Sequence, residues 1–241
     1  MGHLDYKQFA ERHRPHIHPP GAILFVTYRL AGSIPKATVR VYKAKKEWLK
    51  EEANRIRKLS ESEVKPAMTE LLGLIEKFNR EWFVKFEDIL HKAKTGPMWL
   101  QDERAAQVVA DGLHKLDGDA YRLDSFSVMS NHVHTVFKPL LSEQELREKF
   151  DEDGHLTFTS EHPALSRIMH SLKGGSAYEC NLVLGRNGQF WEHESFDHVV
   201  RRGKFDATIR YVLNNPVKAG LVKQWRDWPW NYCRKELSDK L

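Results

Sequence analysis

The chain has 241 residues, of which 41% are hydrophobic, and its formal net charge is +5. This length allows one sizeable core, while no apolar stretch is long enough to cross a membrane and no secretory signal pattern opens the sequence. The two cysteines, Cys180 and Cys233, are too few and too far apart for a disulfide framework or a cysteine zinc cluster, so we expect a protein of the reducing cytoplasm.

The first predicted elements are a strand in GAILFVTYRL (21–30) and a helical hairpin over about 39–92. The hairpin interrupts the pattern of alternating strands and helices, so we interpret it as an insertion. Between Lys36 and Lys58 there are nine basic residues and three acidic ones, which gives this segment a charge of +6. Such a segment suits a polyphosphate partner, although a solvated helix face would have the same composition.

The rest of the chain is predicted to alternate between strands and helices. A helix over 102–116, with Asp102 as N-cap, precedes two strands whose tight Ser130–Asn131 connection indicates an antiparallel hairpin. The further predictions are strands at 121–129 and 132–140, a polar segment after residue 140, a helix at 163–185, an extended segment within 188–200, a helix from 204 that ends near Pro216, and an aromatic tail.

This order predicts an α+β fold. Without the insertion it is strand, helix, strand, strand, helix, strand, helix, which is ferredoxin-like. We therefore expect a four-stranded antiparallel sheet with helices on one face, and with the 132–140 strand near its centre. Residues 1–241 would form a single domain, with the helical insertion at about 39–92 and the aromatic tail at about 222–241.

The strand that begins at residue 132 carries two histidines one residue apart. In a strand His132 and His134 point to the same face, about 7 Å apart, and could share one metal ion. Two strand histidines with local hydrogen bonds are the simpler interpretation of this stretch alone. A second H-x-H motif, at His16 and His18, precedes two prolines and lacks an evident partner.

The last predicted helix carries Tyr211 and Asn215, four residues apart and therefore on one helical face. The amide oxygen of Asn215 suits a hard divalent cation, and the phenol of Tyr211 can act as a covalent nucleophile. Taken separately, Tyr211 could equally be a core aromatic residue, and Asn215–Pro216 could be a helix terminator.

Four motifs in order, SNHVHTVF, SRIMHSLKGGSAYECN, FWEHESFDHVVR and IRYVLNNPVKAGLV, resemble the REP-associated tyrosine transposases, a branch of the HUH single-strand endonucleases. The resemblance covers about residues 12–34 and 97–232. It implies that His132, His134 and Asn215 hold a divalent metal, Mg²⁺ or Mn²⁺, and that Tyr211 is the nucleophile. The chain has Phe196 where the family often has a tyrosine, and we interpret that position as structural.

The resemblance implies a transposase that cuts and rejoins hairpin-bearing single-stranded DNA through a 5′-phosphotyrosine. The alternatives are a nicking nuclease without transposition, a DNA-binding module that has lost the chemistry, and a phosphodiesterase that uses water. We expect no membrane partner and a monomer, with a dimer as the alternative. Basic residues expected to contact DNA are Lys43, Lys45, Lys46, Lys50, Arg167, Lys173 and Lys218; for the first four this expectation rests on charge alone.

Overall fold

The computed structural model describes residues 21–93, 96–141 and 163–240. These residues form two compact units, one comprising Ile34–Ile89 and the other comprising residues 21–33 and 90–240. The motif at His16 and His18 and nearly all of the predicted polar segment lie outside the described residues. The assignment of residues 1–241 to a single domain stays a prediction.

The helices follow the predicted order along the chain. The predicted helix at 102–116 begins after Asp102, whose side chain accepts a hydrogen bond from the Arg104 backbone N–H at 3.0 Å. No helix within the described ranges is long and apolar enough to cross a membrane. Those ranges contain seven α-helices: α1 (Lys36–Ile56), α2 (Glu61–Lys92), α3 (Glu103–Lys115), α4 (Pro163–Val183), α5 (Phe205–Leu213), α6 (Asn215–Lys218) and α7 (Lys235–Ser238).

The strands form one antiparallel sheet in the order β4-β1-β3-β2-β5, so β3 is central. The sheet has five strands, which corrects the four expected. The additional strand comes from the aromatic tail, where Tyr232 pairs with Phe126 of β2 and stacks on its ring. The strands are β1 (Leu24–Arg29), β2 (Tyr121–Val128), β3 (His132–Pro139), β4 (Phe196–Val199) and β5 (Asn231–Cys233).

The unit formed by α1 and most of α2 has a small apolar core of its own. Leu49 and Ile56 of α1 pack with Met68, Leu71 and Phe78 of α2. The helical hairpin predicted over about 39–92 is therefore present, and it begins three residues earlier, at Lys36. Its stability depends on the packing of these apolar side chains, since helices alone are marginal in water.

One side of the sheet, which we call the core face, is apolar. Leu24, Val26 and Tyr28 of β1 join Val133 and Phe137 of β3 in the main core. Residues of α3 and α4 belong to the same core, so both helices cover this face, as the predicted fold requires.

The opposite side of the sheet, which we call the polar face, carries the alternate residues of the same strands. Thr27 of β1 lies opposite His134 of β3, and Arg29 lies opposite His132. Helix α5 lies on this side, with its Tyr211 ring beside His134. The expectation of helices on one face is therefore corrected: α3 and α4 share a face, whereas α5 covers the other.

Two stretches of backbone approach each other closely beside β1. A Cβ atom added to Gly96 would lie 2.6 Å from the Gly32 carbonyl oxygen and 2.9 Å from the Ser33 Cα. Gly96 also has a φ of +90°, which disfavours any other residue. A side chain at residue 96 would thus separate the chain that leaves β1 from the chain that returns to the sheet after α2.

Candidate active site

The two histidines of β3 point into the polar face and meet there. Both side chains are fully buried at 0% exposure, and their Nε2 atoms are 3.0 Å apart. They lie on the central strand, between β1 and β2, so neighbouring backbone on both sides holds their positions. The predicted orientation of His132 and His134 toward one side is confirmed.

The side chain of Asn131, in the turn between β2 and β3, fixes the tautomer of His132. Its amide nitrogen donates to the Leu90 carbonyl at 3.1 Å, so its Oδ1 must be the atom that faces His132 Nδ1 at 2.7 Å. Because Oδ1 can only accept, His132 carries its proton on Nδ1. Its Nε2 therefore presents a lone pair to the site.

His134 is held by a neighbour on the adjacent strand. Its Nδ1 lies 2.8 Å from the Thr27 hydroxyl, and its ring stacks on Phe25 with centroids 5.5 Å apart. When the Thr27 oxygen accepts the Nδ1 proton, Nε2 of His134 is an acceptor, and it faces Nε2 of His132. Metal-binding histidines are typically oriented by a hydrogen bond of this kind at the second ring nitrogen.

These two histidines fit a bound divalent cation. Two Nε2 lone pairs 3.0 Å apart repel each other unless a proton or a cation lies between them. Adjacent ligands of a six-coordinate ion with bonds of about 2.1 Å are separated by about 3 Å. The spacing of His132 and His134 thus matches two neighbouring ligands of one ion.

Asn215 contributes an oriented oxygen and is also completely buried. Its amide nitrogen donates to the carbonyls of Tyr211 at 2.8 Å and Val212 at 3.3 Å, so Oδ1 is the atom that faces the site. The predicted single helix through residue 215 is wrong in one detail: α5 ends at Leu213, and Asn215 begins the short helix α6. Pro216 explains the interruption because it has no backbone N–H to continue the helix.

A third histidine, which sequence reasoning missed, lies in the same place. His91 is in the last turn of α2, and its Nε2 is 2.6 Å from Asn215 Oδ1. Its ring meets that of His132 edge-on, with centroids 5.8 Å apart. One ligand nitrogen each from His91, His132 and His134 can be chosen so that all lie within 4.8 Å of one another. Nothing in the local sequence of α2 distinguishes His91 among the 13 histidines.

Tyr211 lies at the edge of this group and is half-buried. Its ring is 5.8 Å from that of His134 and 5.9 Å from that of Phe25, both measured between centroids. The Lys218 ammonium lies 4.2 Å from the centroid of the Tyr211 ring. Phe196, in contrast, pairs with Thr27 from the edge strand β4, and its ring contacts His198.

The other basic residues expected to contact DNA have different surroundings. Lys173 donates from Nζ to the carbonyls of Glu192 and His193, both at 3.0 Å. Burial, followed by the charge of Arg29, lowers the pKa of Lys173 to about 8. Arg167 is exposed on α4, and the four α1 residues Lys43, Lys45, Lys46 and Lys50 are exposed in their own unit. The DNA-binding roles of these residues stay predictions.

Two exposed cations of α1 lie over aromatic rings. Lys45 Nζ is 3.5 Å from the centroid of the Trp48 ring, and Lys46 Nζ is 5.9 Å from that of Tyr42. Trp48 is 43% exposed, so this helix presents both positive charge and an accessible ring to solvent. Charge beside stacking surface is a combination that single-stranded nucleic acids bind well.

No protein-family model and no curated protein matches the chain. One similar solved structure is that of a REP-associated tyrosine transposase bound to a REP hairpin, at 15% identity and a TM-score of 0.45. The similarity covers 90% of this chain and 79% of the other.

Proposed function

We propose that the chain is a metal-dependent transposase or endonuclease that cleaves and rejoins hairpin-bearing, REP-like single-stranded DNA through a 5′-phosphotyrosine intermediate. The observation that supports it most is the pair of Nε2 atoms from His132 and His134, 3.0 Å apart, with the Tyr211 ring beside them. A metal site next to a phenol is the combination that tyrosine-mediated strand cleavage needs.

The bond changes follow from the residue types. The Tyr211 hydroxyl gives up its proton to solvent and its oxygen attacks the phosphorus. A P–O bond to the tyrosine forms, the phosphate stays on the 5′ end, and the bond between phosphorus and the 3′ oxygen breaks. The 3′ oxygen leaves as a hydroxyl after it takes up a proton. Attack by that hydroxyl on the phosphotyrosine reverses these changes and rejoins the strand. The phosphotyrosine bond thus conserves the energy of the broken phosphodiester bond, so rejoining the strand needs no external energy source.

The ion, Mg²⁺ or Mn²⁺, would be held by His132, His134 and Asn215, and would neutralise charge on the phosphoryl oxygens. Asn131 and Thr27 hold the two imidazoles in the required orientation through their Nδ1 atoms. Lys218 adds a positive charge beside the Tyr211 ring, where the attacking oxygen and the substrate phosphate would both carry negative charge.

The basic and aromatic surface of α1 supports DNA binding independently of the chemistry. Its lysines would follow the phosphate backbone and Trp48 would stack on a base. This observation also favours the alternative of a DNA-binding module without catalysis.

We propose further that the protein acts as a monomer in the cytoplasm.

A covalent-adduct assay tests the proposal. The protein would be incubated with Mg²⁺ or Mn²⁺ and labelled single strands from the DNA that flanks its gene, including hairpins, and then denatured and separated on a gel. Variants Tyr211→Phe and His132→Ala would be run beside Tyr178→Phe, a matched control on α4 whose tyrosine is 68% exposed.

We expect an adduct with the unchanged protein and with Tyr178→Phe, and no adduct with the other two variants. Cleavage without any adduct would indicate water as the nucleophile and refute the phosphotyrosine mechanism. Binding without cleavage across a wide set of strands would instead identify a DNA-binding module. Adduct formation in Tyr211→Phe would assign the nucleophile to another residue.

A further inference from the structure

His91 occupies a position in the site that the H-x-H motif and Tyr211 do not account for. It comes from the last turn of α2, and it faces the buried oxygen of Asn215 at 2.6 Å from its Nε2. The Asn215 amide nitrogen is engaged by two backbone carbonyls, so the orientation of Oδ1 toward His91 is set by the end of α5. The position of the acceptor that His91 faces is therefore set independently of His91.

The four polar atoms form two similar pairs. Nε2 of His132 and of His134 are 3.0 Å apart, and Nε2 of His91 and Oδ1 of Asn215 are 2.6 Å apart. The edge-on contact between the His91 and His132 rings brings the two pairs together. Both separations are close to that between adjacent ligands of one ion. A hydrogen bond from His91 Nε2 to Asn215 Oδ1 keeps these two donors together. When an ion takes both, the Nε2 proton is released to solvent, or the ring is protonated on Nδ1 instead.

The identity of these donors has a consequence for the choice of metal. Mg²⁺ prefers oxygen ligands and gives up its water reluctantly, whereas imidazole nitrogen suits first-row transition metals. Two imidazoles and one amide oxygen make a site that either kind of ion could use. A third imidazole shifts the balance toward nitrogen, because three of these four donors, His91, His132, His134 and Asn215, are then histidines.

We propose that His91 is a further metal ligand and that it makes the site select a first-row transition ion, such as Mn²⁺ or Co²⁺, over Mg²⁺. The inference rests on the proposed function in that it needs a metal at His132 and His134. It goes beyond that function by assigning a ligand from the last turn of α2 and by ranking the ions.

The test is a direct measurement of metal binding. Isothermal titration of the full chain with Mn²⁺, Co²⁺ and Mg²⁺ would be repeated for His91→Phe, which keeps a ring but has no donor nitrogen, and for His91→Gln, which keeps a polar side chain beside Asn215. The control is His170→Phe, an exposed position on α4. The visible absorption of bound Co²⁺ reports the donor set, and circular dichroism checks that each variant is folded.

We expect the unchanged protein to bind Mn²⁺ and Co²⁺ at least about 100-fold more tightly than Mg²⁺. Both His91 variants should lose about 10- to 100-fold in Mn²⁺ and Co²⁺ affinity and less than about threefold in Mg²⁺ affinity, with an altered Co²⁺ spectrum. The His170 control should match the unchanged protein.

Two results would overturn the inference and leave the proposed function intact. One is unchanged Mn²⁺ and Co²⁺ binding in both His91 variants while His132→Ala abolishes it. The other is equal affinity of the unchanged protein for Mg²⁺ and Mn²⁺. If the unchanged protein bound none of the three ions, the metal site itself would be refuted and the proposed function with it.

Discussion

The two faces of the central sheet are built from the same strands but carry opposite chemistry. On the core face, Val133 and Phe137 of β3 are fully buried among apolar residues. On the polar face, His132 and His134 of the same strand are equally buried, and hydrogen bonds to Asn131 and Thr27 orient them. Alternation along one strand thus separates the residues that stabilise the fold from those that form the site.

This comparison shows how a fold can tolerate buried polar groups. Burying an unsatisfied polar group costs free energy, and the polar face avoids most of that cost by pairing His132 with Asn131 and His134 with Thr27. The remaining Nε2 atoms are 3.0 Å apart, a spacing that a shared proton or a bound cation stabilises. The core face supplies the stability that this arrangement requires.

The largest expected effect comes from the core face. Phe137→Ala removes a fully buried ring that stacks on Tyr121 at 4.7 Å between centroids, and should lower the free energy of unfolding by about 3–5 kcal/mol. Metal affinity of the folded variant should stay within about threefold of the original. Urea denaturation and metal titration measure the two quantities. Should the metal affinity fall tenfold or more in folded Phe137→Ala, the two faces would not be separable.

A smaller effect is expected from the residue that orients His132. Asn131→Leu removes the acceptor for His132 Nδ1 without removing a ligand, and should weaken Mn²⁺ binding about 10- to 100-fold, or about 1.4–2.7 kcal/mol. Asn131→Asp retains an acceptor oxygen and should restore most of the affinity. Isothermal titration distinguishes the two variants. Equal losses in both would mean that Asn131 acts through its bond to the Leu90 carbonyl instead.

The smallest effect concerns Lys173, which joins the core-face helix α4 to the backbone at residues 192 and 193. Burial, together with Arg29, lowers its pKa to about 8 from 10.5. Between these two values the unfolded chain binds more protons than the folded protein, so stability rises with pH across this window. Below about pH 8 the cost of burying the charge is fully present.

We therefore expect the free energy of unfolding, relative to Lys173→Met, to rise by about 1–2 kcal/mol between pH 7.5 and pH 10. Urea denaturation of both proteins at each pH measures the difference. Buried Tyr28 and Cys180 have raised pKa values and act in the opposite direction, but they cancel because both proteins contain them. A flat difference across this range would show that Lys173 has an ordinary pKa.

The sequence contains enough information to predict the strand half of the site. His132 and His134 are separated by one residue, so strand alternation alone predicts their common direction, and the structure confirms it. The proximity of Tyr211 to Asn215 followed from their spacing, although α5 ends between them. The roles of these residues in metal binding and catalysis stay predictions.

Other features depend on contacts between residues far apart in the sequence, which no local sequence pattern predicts. His91 lies 124 residues before its partner Asn215. The strand β5 forms because Tyr232 stacks on Phe126, a contact that the composition of an aromatic tail does not specify. The position of α5 on the polar face likewise depends on Tyr211 packing against Phe25 and His134.

The close approach of Gly96 to Gly32 and Ser33 has a consequence for how this protein could be re-engineered. Ser33 and Gly96 are the two attachment points of the segment that lies between them in the sequence, and they are in contact. Replacing that segment with a short linker or a foreign domain would therefore not pull the strands of the sheet apart. At this junction the length of the inserted segment can vary at little entropic cost. A reporter domain spliced in there would leave the hydrogen bonding of the sheet unchanged, provided that residue 96 stays glycine.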